Sequence, residues 1–217
     1  MSWATTLQTL SIAALPVILA ITLHEAAHGY VARHFGDPTA WQAGRISLNP
    51  LRHIELFGTI LLPALLHFIG SPFLFGWAKP VPVNFSRLRN PKQDMFWVAL
   101  AGPAVNLLMA IAWTALLKID VLLPRNYFTF PLALMCEIGI GVNLALMGLN
   151  LLPLPPLDGG RIVTSLLPWQ YAVRFASLER WGFFILLGLL YLNVLDYTVW
   201  PLVSLLKHFL LILFQLK

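Results

Sequence analysis

Five long apolar runs set the strongest limit on how this chain can fold. They cover, approximately, residues 3–23, 56–78, 95–117, 131–153 and 181–216. A helix of about 20 apolar residues crosses the hydrocarbon core of a membrane, which is about 30 Å thick, and the last run is long enough for two crossings. The sequence therefore predicts an all-α membrane protein with about six transmembrane helices.

The composition also favours an integral membrane protein. Only 11% of the 217 residues are charged, whereas soluble domains carry about 25%. The formal net charge of +5 could indicate a nucleic-acid partner, but the basic residues lie in short connections, as in cytoplasmic loops of membrane proteins. We therefore expect the lipid bilayer as the surroundings and no nucleic acid. Ten of the 14 Lys and Arg residues show this pattern, namely Arg33, Arg45, Arg52, Lys79, Arg87, Arg89, Lys92, Arg161, Arg174 and Arg180.

Glycine and proline divide the chain into helices within one integral-membrane domain, residues 1–217. Its core is expected at about 5–165, followed by a C-terminal helical pair at about 169–217. In the core, helices are predicted over about 5–34, 56–70, 93–118 and 131–153. Cys136 is the single cysteine, so neither an internal disulfide nor a multi-thiolate metal site is possible.

Two stretches between the predicted helices have non-helical sequences. "GRISL" at 44–48 is predicted as a short extended segment, and the Pro-rich and Gly-rich stretch 71–92 as a re-entrant or β-hairpin-like segment. The latter contains "PVPVNF" at 80–85. Such backbone at membrane depth must face protein or water, because lipid cannot satisfy its hydrogen bonds. A strand there could pair with an unwound substrate, although a purely structural connector explains the pattern equally well.

Residues 21–30, "ITLHEAAHGY", place three ionisable side chains at the end of the first apolar run. His24 and His28 are four residues apart and so share one helix face, where both imidazoles can meet a single ion. Glu25 lies about 100° around the helix, close enough to reach a water on that ion. This HExxH pattern is typical of two zinc ligands and a general base. Ionisable groups in lipid cost free energy, so this pattern favours a metal site over a purely packing role for the histidines.

A catalytic zinc usually has three protein ligands, so a third must come from elsewhere in the chain. Asp158 is the leading candidate, because "PPLDGG" breaks the helix before it and Gly159 and Gly160 would permit a tight turn. Helix capping or a surface turn explains Asp158 equally well from the residues alone. The other candidates are Glu137, Asp196, His34, His53, His67 and His208, of which His53 is expected at the surface.

Three motifs in order resemble the site-2 protease family of intramembrane zinc metalloproteases. They are "HEAAH" at 24–28, "AGPAVN" at 101–106 and "NLLPLPPLDGG" at 150–160. The resemblance covers about residues 20–165, and the last two predicted helices resemble nothing specific.

The resemblance implies one zinc ion per chain, bound by His24, His28 and Asp158. It also implies that Glu25 activates water and that Asn150 helps to position or stabilise the substrate. The expected reaction is hydrolysis of a peptide bond in or near a transmembrane segment of a membrane-protein substrate.

The expected location is a prokaryotic inner membrane, with a multi-pass chain and an active site toward the cytoplasm. A membrane metal-ion transporter using the same ligands is the main alternative. A protease-like scaffold that binds partner helices without cutting them is a third hypothesis. Asn106 and Asn143 are expected only to join helices through their amides.

Overall fold

A computed structural model of the chain describes residues 3–62, 65, 68, 78–124 and 126–216. These parts are helical and contain no strand. Short 3-10 turns lie at Pro50–Arg52 and Phe85–Arg87, and Leu56–Leu61 is π-helical. The α-helices are α1 (Trp3–His34), α2 (Thr39–Gln42), α3 (Pro91–Leu122), α4 (Thr129–Asn150), α5 (Asp158–Leu166), α6 (Trp169–Ala176), α7 (Glu179–Tyr191) and α8 (Val194–Leu213).

Four of the described helices are long and apolar enough to cross a membrane. They are Ser11–His34 within α1, and the whole of α3, α4 and α8. Large apolar side chains are exposed along them, as expected of surfaces that face lipid. Examples are Leu15, Ile18, Leu108, Leu205 and Phe209. This confirms the membrane protein and its helices at 5–34, 93–118 and 131–153.

The predicted number of six spans is not confirmed. Helix α7 has 13 residues, which extend over about 20 Å and fall short of the hydrocarbon thickness. Much of the predicted second span, 56–70, lies outside the described residues. The C-terminal region also has three helices instead of the predicted pair. Its last break comes at Asn193, whose left-handed φ of 55° ends α7 before α8 begins.

Helices α1, α3 and α4 pack against one another, and α8 lies along α4. Buried apolar side chains of α3, α4 and α8 form the main core, and burial of such surface is its principal source of stability. Its members are Ala110, Trp113, Leu117, Cys136, Ile140, Leu144, Met147, Leu195, Val199, Val203 and Leu210. A smaller cluster of Ala32, Leu88 and Val98 packs the later half of α1, where the HExxH motif lies, against the start of α3.

Asp37 ties the connection after α1 to the segment that precedes α3. The carboxylate accepts hydrogen bonds from the Thr39 amide at 3.0 Å, the Thr39 hydroxyl at 2.5 Å and the Asn84 amide at 2.6 Å. Burial acts to raise the pKa of Asp37, but these hydrogen bonds outweigh burial and lower the pKa below its ordinary value. The segment around Asn84 is therefore held against the end of α1.

Neither predicted extended stretch forms a strand among the described residues. In "GRISL", the Arg45 amide donates to the Ala40 carbonyl at 2.9 Å, which makes a helix-type turn. The described part of 71–92 begins at residue 78. Its backbone forms hydrogen bonds with a side chain and with the backbone of another connection, and not with a partner strand. Arg45 Nη2 donates to the Lys79 carbonyl at 2.7 Å, and the Lys79 amide donates to the His53 carbonyl at 2.9 Å. A β-hairpin is not confirmed.

Candidate metal centre

His24 and His28 lie one turn apart on the buried face of α1. Their side chains are almost completely buried, and the two Nε2 atoms are 3.1 Å apart. The i to i+4 spacing brings the rings together as the helical period requires. The predicted pairing of these two histidines is therefore present in the structure.

Asp158 approaches the same point from a different part of the chain. It is the first residue of α5, and its Oδ2 lies 3.2 Å from His24 Nε2 and 3.3 Å from His28 Nε2. The two glycines that follow are needed for close packing, because a Cβ at Gly159 or Gly160 would collide with backbone of residues 151–155. Both glycines are helical, so the predicted tight turn is not the reason for them.

The three donor atoms fit the geometry of a zinc site. Tetrahedral zinc with bonds of about 2.0–2.1 Å places its ligand atoms about 3.3 Å apart, and here the three separations are 3.1, 3.2 and 3.3 Å. Oδ2 of Asp158 is also buried without a hydrogen-bond donor. A buried acceptor in this state is costly unless something else satisfies it. A shared cation accounts for both the convergence and the missing donor.

The other nitrogen of each imidazole is already engaged by α3. His28 Nδ1 lies 2.7 Å from the Val98 carbonyl, and His24 Nδ1 lies 2.6 Å from Oδ1 of Asn106. Since a carbonyl oxygen only accepts, Nδ1 carries the proton in both rings. Each Nε2 then presents a lone pair toward the third ligand, which is the tautomer that a metal requires.

Gly102 of α3 lies directly against the two imidazoles. A Cβ at this position would stand 2.5 Å from His28 Nε2 and 2.6 Å from His24 Nε2. Real Cβ contacts essentially never fall below 3.0 Å. The absence of a side chain at residue 102 therefore leaves the space in which the three donor atoms converge.

Glu25 is half-buried beside this group and is held by main chain from a distant segment. Its Oε2 accepts a hydrogen bond of 2.7 Å from the Val81 amide. Val81 belongs to "PVPVNF", so this stretch lies over the HExxH turn. The second carboxylate oxygen of Glu25 has no hydrogen-bond partner among the described residues.

Asn150 is the last residue of α4 and is half-buried. Its Nδ2 donates to the Leu146 carbonyl at 3.0 Å, within its own helix. The structure thus brings together four of the five predicted site residues and gives Asn150 a separate, local contact.

The other candidate ligands do not join the cluster. Glu137, Asp196, His34 and His208 are exposed, and His67 lies outside the described residues. Among the described residues, the group His24, His28 and Asp158 is the one that can hold a metal. The expectation that His53 lies at the surface is wrong. It is buried, and its Nε2 lies 2.9 Å from the Ser47 carbonyl, because the connection folds back over its ring.

Comparison with known proteins identifies the family. No family model and no solved structure matches the chain. A Bacillus subtilis protein named "Putative zinc metalloprotease YwhC" is 38% identical over 191 residues, which cover 87% of this chain and 84% of the relative. The chain belongs to this family of zinc metalloproteases.

Two longer relatives also match the chain. "Putative zinc metalloprotease Rip2" of Mycolicibacterium smegmatis is 29% identical over 177 residues, covering 80% of this chain and 64% of the relative. "Stage IV sporulation protein FB" of Bacillus subtilis is 27% identical over 198 residues, covering 88% and 54%. Zinc is the metal that the metalloprotease names print, and the converging donors described above fit it.

Sequence reasoning missed the residues on other segments that contact the candidate metal ligands and Glu25. Asn106 was expected only to join helices, yet it bonds His24 directly. The signal available was its four-residue spacing from Gly102, which places both on one face of α3. No sequence signal indicates the Val98 carbonyl or the Val81 amide, because any residue except proline offers the same backbone groups.

Proposed function

We propose that the chain is an intramembrane zinc endopeptidase of the site-2 type. It would hydrolyse a peptide bond in or near the transmembrane segment of a membrane-protein substrate. One observation carries this proposal: three buried donor atoms converge within 3.3 Å of one another beside Glu25, on helices of membrane-spanning length. Membership of the zinc metalloprotease family supports it.

His24, His28 and Asp158 would hold one zinc ion per chain. Bound there, zinc would supply a water of lowered pKa and a Lewis acid for the carbonyl of the scissile bond. The chain's own residues supply the rest of the chemistry. Glu25 would take the proton of the attacking water on its second oxygen and return it to the leaving amine. The Val81 amide would hold the first oxygen and so fix the carboxylate in place.

Asn150 is proposed to position the substrate. It stands where α4 ends, before the loop that leads to Asp158. Its amide group is anchored only within its own helix, so it can turn toward a substrate carbonyl without breaking a contact between helices. Such a donor stabilises negative charge that develops on the carbonyl oxygen.

The substrate is proposed to be a helix that unwinds near the cut. Regular helices bind their carbonyls in internal hydrogen bonds, so small or helix-breaking residues would favour cleavage. Six spans, a single domain over 1–217, a prokaryotic inner membrane and a site toward the cytoplasm remain part of the proposal. The basic residues that follow the HExxH motif and Asp158, such as Arg33, Arg45 and Arg161, support that orientation.

Replacement of Glu25 by Gln tests the mechanism. The purified variant should retain zinc, while cleavage of a transmembrane reporter falls by about 10²- to 10⁴-fold, the usual contribution of a general base. Glu137→Gln is the matched control, because that carboxylate is exposed on α4 and should leave both properties unchanged. Cleavage by Glu25→Gln at the wild-type rate would sink the mechanism. Zinc flux into proteoliposomes would instead support the transporter.

A further inference from the structure

Two buried asparagines connect the proposed zinc site to the middle of α4. Asn106 Nδ2 donates to Asn143 Oδ1 at 2.9 Å and to the Ala20 carbonyl at 3.3 Å. Asn143 Nδ2 donates to the Gly139 carbonyl at 2.8 Å. Both asparagines are fully buried. A continuous chain of hydrogen bonds therefore runs from the backbone of α4 to Nδ1 of His24.

This chain of hydrogen bonds has only one consistent direction. The Gly139 carbonyl can only accept, so the nitrogen of Asn143 faces it and the oxygen of Asn143 faces Asn106. Asn106 must then turn its nitrogen to Asn143 and its oxygen to His24. If the Asn106 amide were reversed, its oxygen would face two other acceptors, and its nitrogen would require an unprotonated Nδ1. The orientation of Asn106 therefore decides which nitrogen of His24 carries the proton.

The same face of α3 serves both histidines. Val98, Gly102 and Asn106 follow one another at four-residue spacing, which matches the spacing of His24 and His28 on α1. The Val98 carbonyl binds one ring, Asn106 binds the other, and Gly102 leaves room between them. A backbone carbonyl has a fixed polarity, whereas an amide side chain can rotate. The orientation of the Asn106 amide must therefore be fixed by another group, and Asn143 provides the hydrogen bond that does so.

We infer that Asn106 is a positioning residue for the zinc ligand His24, and that Asn143 fixes the direction of the Asn106 amide. The inference rests on the proposed zinc site and goes beyond it. Asn106 accepts the proton of Nδ1 and so directs the lone pair of Nε2 toward the metal. Hydrogen-bond partners behind metal ligands commonly change metal affinity by about 10- to 100-fold.

Zinc affinity, measured by competition with a chromophoric chelator in detergent, separates this role from helix joining. Asn106→Leu removes the acceptor and should weaken zinc binding by about 10- to 100-fold. Asn106→Asp keeps an acceptor oxygen on Nδ1 of His24, as carboxylates behind zinc-bound histidines do. It should bind zinc more tightly than Asn106→Leu, although its second oxygen faces the Asn143 and Ala20 acceptors. Thr114→Val is the matched control, because Thr114 is fully buried on α3 and bonds only the Ala110 carbonyl of its own helix. It should bind zinc as the wild type does.

Asn143→Leu provides a second test that does not touch a zinc ligand. It removes one of the two acceptors of Asn106 Nδ2 and leaves only the longer contact to the Ala20 carbonyl at 3.3 Å. The Asn106 amide should then reverse more easily, so zinc affinity should fall and the absorption spectrum of the cobalt-substituted protein should change. Wild-type affinity in Asn106→Leu, or equal losses in Asn106→Leu and Asn106→Asp, would overturn the inference. If Asn106→Leu does not fold, unchanged affinity and spectrum in Asn143→Leu overturn it.

The wild-type sample distinguishes this inference from the proposed function. Wild-type protein that binds no zinc overturns the zinc site, and this inference with it. Wild-type protein that binds zinc but cleaves no transmembrane substrate overturns the protease function alone.

Discussion

A single methyl group on α3 should weaken metal binding strongly. Gly102→Ala would place a Cβ 2.5 Å from His24 Cε1 and from His28 Nε2, and 2.6 Å from His24 Nε2. Ordinary contacts begin at about 3.4 Å, so the imidazoles would have to retreat by about 0.9 Å, the difference between 3.4 and 2.5 Å. A zinc site tolerates deviations of about 0.2 Å in its bond lengths. The rings therefore cannot keep both the metal and the new methyl group.

We expect a large loss of zinc affinity and a moderate loss of folding stability. We expect zinc affinity to fall by at least about 100-fold, the upper end of the range for changes behind a ligand, because here both ligands move. Overpacking of a core usually costs about 1–3 kcal/mol. Replacing glycine by alanine inside a helix stabilises the helix by about 1 kcal/mol. The free energy of unfolding should thus fall by only about 0–2 kcal/mol, and the variant should remain folded.

Zinc competition and thermal unfolding of the detergent-solubilised protein measure the two effects. Gly148→Ala is a matched control on α4, since its Cβ would meet the Val199 side chain at 3.1 Å, away from the three donor atoms and from the asparagine chain. It should keep zinc. Gly141→Ala meets no heavy atom within 4 Å and should change neither property. Gly102→Ala protein that binds zinc like the wild type, or Gly148→Ala protein that loses zinc to the same extent as Gly102→Ala, would refute the reasoning.

Three further changes probe the supports of the site. Val81→Pro removes the amide that holds Glu25 and should lower kcat at least about tenfold. Val81→Ala keeps the amide and should keep most of the activity. Equal rates in the two variants would contradict the role of this amide in holding Glu25. Asp37→Asn should cost about 1–3 kcal/mol of stability in thermal melts at pH 7. Because the folded-state pKa of Asp37 is lowered, this difference should persist above about pH 4 and shrink only as the pH falls below it; a constant difference down to pH 2 would contradict it. Gly160→Ala should displace α5 and weaken zinc binding at least about tenfold. Gly188→Ala should leave zinc binding unchanged, because its Cβ would meet no heavy atom within 4 Å.

The sequence predicts those parts of the fold and site that depend on local periodicity. The spacing of His24 and His28 is sufficient because four residues always return to the same helix face. The spans α1, α3 and α4 are predicted equally well, since a long apolar run in lipid has few alternatives to a helix. Asp158 was less certain from the residues alone, because its approach to the histidines depends on packing of α5 against the preceding loop.

The remaining features depend on contacts between distant segments. The length of α7 is set by the turn at Asn193, although the apolar run continues through it. The Val81 amide, in the stretch predicted to be extended, donates to the Glu25 carboxylate and not to a partner strand. The role of Asn106 was underestimated because a buried asparagine on an apolar helix fits helix joining as well as ligand support. Only the positions of the neighbouring polar atoms decide between the two.

The HExxH motif alone does not complete this site. Helix α1 brings the two imidazoles together, but no atom within that motif determines which nitrogen of each ring faces the metal. The Val98 carbonyl and the Asn106 amide make that choice from α3, and Gly102 leaves the space. An HExxH helix without such a partner face would present rings that rotate and exchange tautomers. In the proposed site, "AGPAVN" therefore supports the ligands that "HEAAH" supplies, although none of its side chains is proposed to touch zinc or substrate.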